Sequence, residues 1–536
     1  MRIEPHLARR AANHQPLTPL SFLDRALAVC PDRPAVRWRL RSYSYGEFGE
    51  LVLRMADALE DWRVGASDVV AVMAPNRFEM LAAHFAVPVL GAVINALNPR
   101  LDVDAVTYIL KHSEARVILA DMSCAEKAQS AAAAAGIKCV VLASQTGDGG
   151  FDVLSAPPAR PRQLLANVKD EWQPIALNYT SGTTGRPKGV VYHHRGAYLN
   201  AIGNLIALGF DDRTRYLWTL PLFHCNGWCH AWAVTAATGF HVCLDKVDPQ
   251  EIFDSIADQD VTHMSCAPVV LNMLLDHPAR STRNPSSTSV RVASGGSSPS
   301  SALICQMDAL GFEFIHLYGL TESFGPTSAC SLHKTETELD VSDRAKLLSS
   351  QGNRHLTANH IRVIGQDGQD VPMDGSSVGE IVLRGNTLMA GYYADPRATD
   401  EAFSREYFST GDLAVMHSSG NIEIRDRSKD VIISGGENIS SIEVENVLQM
   451  HPAVLMAAIV AAPDSKWGET PCAFVELRAN AQVDSEELRK FCRLHLASFK
   501  IPRTFVFQSL PRTATGKIQK FLLREAARTF SQAQNQ

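Results

Sequence analysis

This sequence lacks the features that mark several protein classes. No run of residues is apolar and long enough to span a membrane, because the best candidate, residues 81–97, is interrupted by a histidine, a proline and an asparagine. No secretory signal is indicated, since no apolar segment follows the arginines near the N-terminus. The net charge of −6 provides no basic surface for nucleic acid, so we expect no nucleic-acid partner.

Regularly spaced cysteine pairs are also missing. The eleven cysteines are odd in number, and no regular spacing connects them. This pattern argues against a disulfide framework and favours reduced, mostly buried thiols. Residues 534–536, Gln-Asn-Gln, do not form a peroxisomal address. We therefore expect a cytoplasmic protein.

The chain is rich in alternating strand-like and helix-like segments, and its 536 residues exceed what one core holds. Up to about residue 320 this alternation favours parallel α/β layers, whereas alternating strands and glycine turns follow residue 355. A charged cluster, residues 426–430, precedes about a hundred residues with an α+β pattern. We predict an α/β fold with layered α/β subdomains and a β-rich subdomain in residues 1–427, and a small α+β domain in residues 428–536.

Residues 179–190, YTSGTTGRPKGV, form the most informative segment. Hydroxyls, glycines and one lysine follow each other in a loop between two strand-like runs. Backbone N–H groups and hydroxyls can donate to a phosphate chain while a lysine neutralises its charge. The loop is not a P-loop, because Pro187 precedes Lys188 and Gly189 follows it. A plain surface turn is the alternative.

The same segment resembles the signature of adenylate-forming enzymes, which include acyl-CoA synthetases, luciferases and the adenylation domains of peptide synthetases. HLYGLTESFGP, residues 316–326, resembles the second signature of that family, and further matches continue in order to residue 520. The resemblance implies ATP, Mg²⁺ and CoA as cofactor and co-substrates. It also implies that residues 1–427 bind the acyl group and ATP, while residues 428–536 form a mobile domain that carries the catalytic lysine.

The resemblance assigns the chemistry of adenylation to three residues. Thr321 would bond the α-phosphate, Glu322 would hold Mg²⁺ together with Thr183, and Lys517 would bridge the substrate carboxylate and the α-phosphate. It also predicts an adenine-stacking tyrosine, Tyr318, and a ribose-binding pair, Arg427 and Asp412, with Asp412 at the end of a β segment. The predicted ATP- and AMP-binding residues are Thr180, Ser181, Gly182, Thr183, Thr184, Lys188, Gly295, Gly296, Tyr318, Gly319, Asp412 and Arg427.

The resemblance also predicts the acyl pocket, the CoA tunnel and the hinge. PLFHCNGWCH, residues 221–230, could suggest zinc, but it lacks a second cysteine pair at zinc-finger spacing. Residues 217–244 contain no aspartate that could pair with an ammonium group, so an α-amino acid is disfavoured as the substrate. The predicted residues are His224, Trp228, Met264 and Gly319 for the pocket, Gly435, Gly436 and Glu437 for the tunnel, and Lys429 for the hinge. The tunnel segment could also be a β-turn that caps a helix starting near Ser440, with Glu443 completing a capping box.

The resemblance therefore implies an acyl-CoA synthetase whose partners are a small carboxylate and CoA. The motifs look most like the short- to medium-chain branch that includes methylmercaptopropionate-CoA ligases, so aliphatic, methylthio or small aryl acids all fit. Other acceptors stay open, as in a luciferase-like oxygenase or a carrier-protein ligase. An inactive nucleotide-binding homologue is a further alternative. The sequence leaves a homodimer open as an assembly.

Overall fold

A computed structural model describes residues 5–143, 150–180, 187–283, 289–332, 336–358, 360–404, 406–464, 466–512 and 518–534. The chain forms two compact units. The first comprises Met1–Ser265, Gly319–Pro326 and Gly385–Thr399, and the second comprises Cys266–Tyr318, Thr327–Arg384 and Asp400–Gln536. The predicted boundary between residues 427 and 428 stays a prediction. Among the described residues, no helix has the length and apolar character needed to cross a membrane.

The helical segments alternate with strands through most of the chain. They are α1 (Leu20–Val29), α2 (Tyr45–Asp61), α3 (Phe78–Val89), α4 (Val103–His112), α5 (Ala125–Ala135), α6 (His194–Leu208), the single turn α7 (Cys225–Trp228), α8 (His230–Ala236), α9 (Pro249–Asp258), α10 (Pro268–Asp276), α11 (Ser301–Ala309), α12 (Val341–Ser349), α13 (Pro396–Ala402), α14 (Ser441–Gln449), α15 (Ser485–His495) and α16 (Lys520–Gln534).

The strands are short, as is usual in α/β proteins. They are β1 (Pro34–Trp38), β2 (Arg41–Ser44), β3 (Val69–Met73), β4 (Val93–Leu97), β5 (Ala115–Asp121), β6 (Lys138–Leu142), β7 (Pro174–Tyr179), β8 (Gly189–His193), β9 (Arg215–Trp218), β10 (Phe240–Cys243), β11 (His263–Cys266), β12 (Val290–Ser294), β13 (Phe312–Leu320), β14 (Gly325–Cys330), β15 (Asn353–Arg354), β16 (His360–Ile364), β17 (Gly379–Arg384), β18 (Gly391–Tyr392), β19 (Phe408–Met416), β20 (Ile422–Arg427), β21 (Ile432–Ser434), β22 (Glu437–Ile439), β23 (Val454–Asp464), β24 (Gly468–Leu477) and β25 (Thr504–Phe507).

The first unit contains a seven-stranded sheet in the order β18-β8-β7-β4-β3-β5-β6. Its strands from β7 to β6 pair in parallel, whereas β8 and β18 join antiparallel at one edge. Strands β3 and β4 are buried along their whole length, which explains their nearly continuous apolar sequence. The predicted parallel α/β layers are therefore confirmed. The same unit also has parallel pairs among β1, β10, β9 and β11, with β2 antiparallel to β1.

The second unit contains the predicted β-rich region as the antiparallel sheet β16-β17-β19-β20. Its C-terminal part has the sheet order β22-β21-β24-β23, with β25 parallel to β24. Two clusters of buried side chains form the core of this part, in residues 432–496 and 458–527. The α+β pattern predicted for these residues is therefore confirmed.

Local sequence signals fix several element ends. Ser44 caps α2 in a capping box with Glu47, as its S-x-x-E spacing favours. Ser440 caps α14 by accepting from the backbone N–H of Glu443, as predicted. The capping box predicted there is wrong, because both carboxylate oxygens of Glu443 bond Lys500 Nζ at 2.7 Å instead. All eleven cysteines are free and eight are buried, which confirms that interpretation.

Candidate active site

The predicted phosphate loop lies at the end of a hairpin in the first unit. Strands β7 and β8 pair antiparallel with Tyr179 opposite Gly189. One residue further, the backbone N–H of Thr180 donates to the carbonyl of Lys188 at 3.0 Å and continues the hairpin pairing. The predicted residues Ser181, Gly182, Thr183 and Thr184 lie outside the described residues, and their phosphate contacts stay predictions.

Lys188 and Glu322 both contact the side chain of Tyr392. The ammonium of Lys188 lies 4.7 Å from the centroid of the Tyr392 ring, a cation–π distance. The hydroxyl of Tyr392 donates to Glu322 Oε1 at 2.9 Å. The structure thus brings a predicted phosphate-binding cation and a predicted metal-binding carboxylate to one side chain. The sequence analysis missed Tyr392, whose only local signal is an aromatic residue beside a glycine.

The backbone that carries Thr321 and Glu322 is fixed by its neighbours in the first unit. The hydroxyl of Tyr192 donates to the Thr321 carbonyl at 2.7 Å, and the Tyr192 ring stacks on Phe324 with centroids 3.7 Å apart. Phe324 has a φ of 59°, a left-handed conformation that non-glycine residues seldom adopt. Strain of this kind persists where surrounding contacts dictate the conformation.

Gly319 is required by a close approach of two backbone segments. A Cβ atom at this position would lie 2.1 Å from the carbonyl oxygen of Gly325. Any side chain would therefore push apart the segments on either side of Thr321 and Glu322. This is a structural reason for the glycine, and it is compatible with its predicted contact to the nucleotide and the acyl group.

The turn α7 is left-handed. Five consecutive residues have positive φ: Cys225 (42°), Asn226 (43°), Gly227 (53°), Trp228 (51°) and Cys229 (63°). A left-handed conformation costs a non-glycine residue about 1–2 kcal/mol. The turn is held by two hydrogen bonds, from the Gly227 N–H to the His224 carbonyl at 2.9 Å and from the Cys229 N–H to the Asn226 carbonyl at 3.1 Å.

A buried polar network supports this turn. The side chain of Asn226 is hydrogen-bonded to that of Asn178 on β7, and its Nδ2 lies 3.2 Å from His84 Nε2. At the start of the turn, the Cys225 thiol donates to the Thr321 hydroxyl at 3.5 Å. Burial raises the pKa of Cys225 to about 12, so the thiol stays protonated and can donate.

The described pocket candidates of this unit lie in or beside the turn and on β11. Trp228 is buried, its carbonyl accepts from Asn204 Nδ2 at 2.7 Å, and its ring packs edge-on against His230. Met264 is buried on β11, and His224 immediately precedes the turn. These positions are compatible with an acyl-binding wall, and the assignment of each residue to the pocket stays a prediction.

The predicted ribose pair forms in the second unit. Strands β19 and β20 set Asp412 opposite Arg427, and Arg427 Nε lies 3.0 Å from Asp412 Oδ1. The other carboxylate oxygen, Oδ2, accepts from the Tyr318 hydroxyl at 2.7 Å. Burial and the charge of Asp412 raise the pKa of Tyr318, so its hydroxyl remains a donor. The interpretation of Asp412 as the end of a strand is wrong, since it lies inside β19.

Two predicted glycine loops of the second unit have the expected backbone freedom. Gly295 follows β12 and donates its N–H to the Cys266 carbonyl at 3.3 Å, while Gly296 has a φ of 86°. In the predicted CoA loop, Gly435 and Gly436 also have positive φ, and Glu437 begins β22. No ligand contact of these residues is tested, so their predicted functions stay predictions.

The predicted hinge residue Lys429 is exposed, and partial desolvation by its neighbours lowers its pKa. Arg524 on α16 donates to the Lys429 carbonyl at 3.1 Å and to Asp430 Oδ1 at 2.7 Å. Helix α16 begins three residues after Lys517, but Lys517 itself lies outside the described residues. Its catalytic function therefore stays a prediction.

The residues present fit a Mg²⁺ ion that is bound together with substrate phosphates. Mg²⁺ is usually held by one or two carboxylates plus phosphate and water oxygens. The Glu322 carboxylate beside Lys188 is such a partial donor set. Within the described ranges no group of three or more histidine, cysteine or acidic side chains could hold a metal alone.

Comparison with known proteins identifies the family of this chain. The AMP-binding enzyme model matches residues 23–393, and the AMP-binding enzyme C-terminal domain model matches residues 443–517. An acetate/butyrate–CoA ligase of Arabidopsis thaliana, AAE7, is 42% identical over 97% of this chain and 96% of its own. A 2-methylpropanoate–CoA ligase of Humulus lupulus, CCL4, is 41% identical over 98% of each chain.

Among solved structures, the o-succinylbenzoate CoA synthetase of Bacillus subtilis in complex with its acyl-adenylate intermediate is similar. It has a TM-score of 0.80 and 28% identity, and the match covers 95% of this chain and 98% of the other. The matches extend over nearly the full length of each protein compared. The chain therefore belongs to the AMP-binding, adenylate-forming enzyme family and is an enzyme of its acid–thiol ligase class.

Proposed function

We propose that this protein activates a short aliphatic carboxylate with ATP and transfers the acyl group to CoA. The observation that carries the proposal is the convergence of Lys188 and Glu322 on Tyr392, at 4.7 Å and 2.9 Å. A cation and a carboxylate at the base of a phosphate loop suit a nucleotide triphosphate with its metal ion. The Asp412–Arg427 pair supplies a carboxylate and a guanidinium for ribose hydroxyls.

In the first half-reaction, a substrate carboxylate oxygen attacks the α-phosphorus of ATP. A bond forms between that oxygen and phosphorus, the bond to the β-phosphate oxygen breaks, and pyrophosphate leaves. Lys517 offsets the negative charge of the two anions, and Thr321 holds an α-phosphate oxygen. Mg²⁺, when bound, neutralises phosphate charge.

In the second half-reaction, the CoA sulfur attacks the acyl carbon of acyl-AMP. The C–S bond forms, the C–O bond to AMP breaks, and the thiol proton is lost. Rotation of residues 428–536 about Lys429 would remove Lys517 and present the glycine loop of Gly435 and Gly436, a hinge-type change. The rotation would thus place Lys517 at the acyl carbonyl during adenylation and the glycine loop there during thioester formation.

The substrate class follows from similarity. The Arabidopsis and Humulus relatives are named for acetate, butyrate and 2-methylpropanoate, so we propose an aliphatic acid of similar size. Buried Trp228 and Met264 support a compact pocket. Specific use of 3-methylthiopropionate or a small aryl acid is a narrower proposal that rests only on the motif resemblance.

The test is a carboxylate panel with ATP and Mg²⁺, from acetate to palmitate, with 2-methylpropanoate, 3-methylthiopropionate and benzoate. Pyrophosphate, AMP and thioester are measured with and without CoA. We expect CoA-dependent AMP and thioester formation to be fastest with a short aliphatic acid. Pyrophosphate release without a thioester would support another acceptor, and inactivity across the panel would support the inactive homologue.

Location and assembly also stay proposals. We propose a cytoplasmic enzyme, although the Arabidopsis relative is described as peroxisomal. A homodimer is a second proposal, which sedimentation of the purified chain would test.

A further inference from the structure

We propose that Tyr392 is a positioning residue that holds Lys188 and Glu322 apart, so that both charges face the substrate phosphates. The inference rests on the proposed function, because it takes Lys188 as a phosphate ligand and Glu322 as a metal ligand. The ring of Tyr392 faces the ammonium at 4.7 Å, and its hydroxyl donates to the carboxylate at 2.9 Å. One side chain therefore contacts both charges through two chemically different groups.

The backbone of Tyr392 is tied to the strand that begins immediately after Lys188. Strand β18 pairs antiparallel with β8, and Tyr392 lies opposite Val190. The Tyr393 N–H donates to the Gly189 carbonyl at 2.7 Å, and the Tyr392 N–H donates to Thr399 Oγ1 at 3.0 Å. The ring is thus fixed relative to the backbone of Lys188 rather than placed by its own side-chain contacts alone.

Glu322 is tied to the same segment from the other side. Its carbonyl accepts from the Met389 N–H at 2.8 Å, three residues before Tyr392. The short segment 389–393 therefore has backbone bonds both to the residue that carries the carboxylate and to the end of the phosphate loop. A displacement of Tyr392 would change the distance between the two charged groups.

The chemistry explains why a tyrosine suits this position. An ammonium and a carboxylate placed this close would attract each other, and a direct ion pair would satisfy both without a nucleotide. Lys188 and Glu322 both lie within the described ranges, and the structure contains no ion pair between them. Each charge instead contacts a different part of Tyr392, because the ring face lies against the ammonium and the hydroxyl donates to the carboxylate. Both are weak, neutral partners that leave the charges available to phosphate and metal.

The hydrogen bond of Tyr392 agrees with this function. Its hydroxyl donates to Glu322 Oε1 at 2.9 Å, which requires the protonated phenol. A neutral phenol orients the carboxylate by donating a hydrogen bond but does not cancel its charge. Glu322 therefore remains available to a cation.

Two substitutions separate the two contacts. Tyr392→Phe keeps the ring under Lys188 and removes the hydroxyl from Glu322, whereas Tyr392→Leu removes both. Tyr393→Phe is the matched control, because it removes the hydroxyl of a neighbouring, partly buried tyrosine that lies 3.5 Å from Glu114 and contacts neither charge. Thermal unfolding of all three variants reports whether the fold is retained.

The first measurement is equilibrium binding of ATP in EDTA, which isolates the phosphate contacts from the metal. We expect Tyr392→Leu to weaken binding about fivefold, since a cation–π contact contributes modestly. Tyr392→Phe and Tyr393→Phe should bind like the wild type. The second measurement is the Mg²⁺ concentration for half-maximal pyrophosphate release, which we expect Tyr392→Phe to raise about tenfold, as for loss of a hydrogen bond to a charged group.

The proposal would be overturned if Tyr392→Phe and Tyr392→Leu had the same ATP affinity and also the same Mg²⁺ requirement. It would also be overturned if both variants matched the Tyr393→Phe control in these two quantities. An equal loss of ATP binding and of thermal stability in the Phe and Leu variants would show a structural function only and would also overturn it. The proposed function fails separately, if the wild type binds ATP but forms no acyl-CoA. The EDTA measurement then still decides whether Tyr392 orders Lys188.

Discussion

Two tyrosines donate hydrogen bonds to two carboxylates with predicted binding functions, one in each unit. Tyr318 donates to Asp412 at 2.7 Å in the second unit, and Tyr392 donates to Glu322 at 2.9 Å in the first. Burial raises the pKa of both phenols, so each stays a neutral donor. Each tyrosine therefore orients a carboxylate while leaving its negative charge in place. Asp412 has a cationic neighbour in Arg427, whereas Glu322, the predicted metal ligand, accepts a hydrogen bond from neutral Tyr392.

Lys517 provides the sharpest prediction for a single residue. We expect Lys517→Ala to slow pyrophosphate release by about 10²–10³, because it removes a charge that stabilises the transition state of adenylation. Thioester formation from supplied acyl-AMP should stay near the wild-type rate. The two half-reactions are measured separately by pyrophosphate release and by acyl-CoA formation. Equal loss of both would show that the lysine acts on something other than adenylation.

At the scale of elements, the left-handed turn α7 connects the acyl-pocket candidates to Thr321. A Cβ atom at Gly227 would lie 2.8 Å from Cζ3 of Trp218, and the φ of 53° is itself unfavourable for other residues. We expect Gly227→Ala to destabilise the protein by about 2–3 kcal/mol, the sum of backbone strain and overpacking. The midpoint of thermal unfolding measures this change. The KM for the acid should also rise, because the turn carries Cys225 and Trp228.

Gly136→Ala is the matched control for this prediction. Gly136 caps α5 with a φ of 72°, and no atom lies within 4 Å of where its Cβ would be. Gly136→Ala should therefore lower the free energy of unfolding by only about 1 kcal/mol, the cost of a left-handed alanine, and leave the KM for the acid unchanged. Equal effects of the two substitutions would show that the contact with Trp218 does not matter.

The hinge is the second element with a clear test. Lys429→Pro restricts rotation about the backbone bond at which the domains are predicted to turn. We expect it to slow thioester formation by about tenfold or more and to change adenylation little, since only the second step requires rotation. Lys429→Ala, which removes the charge but leaves the backbone free, separates the two causes. Normal rates of both steps in the proline variant would contradict the hinge assignment.

At the scale of the whole molecule, the buried histidines set the response to acid. Burial lowers the pKa of six of them to values of about 3 to 4. Because the unfolded chain binds protons on these residues below about pH 6.5 and the folded chain does not, stability should fall as the pH decreases from 6.5 towards 4. The loss is about 1 kcal/mol for each such histidine at pH 5.5. These residues are His84, His193, His194, His241, His316 and His355.

His241 is the best position for testing this dependence. Its Nδ1 accepts from Trp218 Nε1 at 3.1 Å, and its Nε2 lies 3.1 Å from the Thr235 hydroxyl. A second proton would face the indole N–H, so the charged form is excluded. His241→Gln retains a hydrogen-bond donor and an acceptor but cannot take up a proton. Between pH 7.5 and 5.5, we expect its free energy of unfolding to decrease by about 1 kcal/mol less than that of the wild type. Parallel unfolding midpoints over this range would contradict the explanation.

The sequence by itself determined the family, the parallel α/β layers and the order of the motifs. These features are encoded in contiguous segments, such as residues 179–190 and 316–326, which can be recognised without knowledge of contacts to distant residues. It also predicted Asp412 and Arg427 as a ribose-binding pair. Strand pairing sets the two residues opposite each other, and their contact with ribose stays a prediction. The sequence analysis misplaced Asp412 at a strand end and misassigned Glu443, because strand ends and side-chain partners depend on neighbours far along the chain.

Tertiary structure alone decided which side chains hold the predicted residues in place. Tyr392 lies 70 residues from Glu322 in the chain and reaches it only because β18 pairs with β8 in a fixed register. The left-handed α7 likewise depends on Asn178 and His84, which no local pattern connects to Cys225. A sequence motif specifies the groups that bind and react, whereas their separation and orientation are set by long-range strand pairing and by the packing of buried polar side chains.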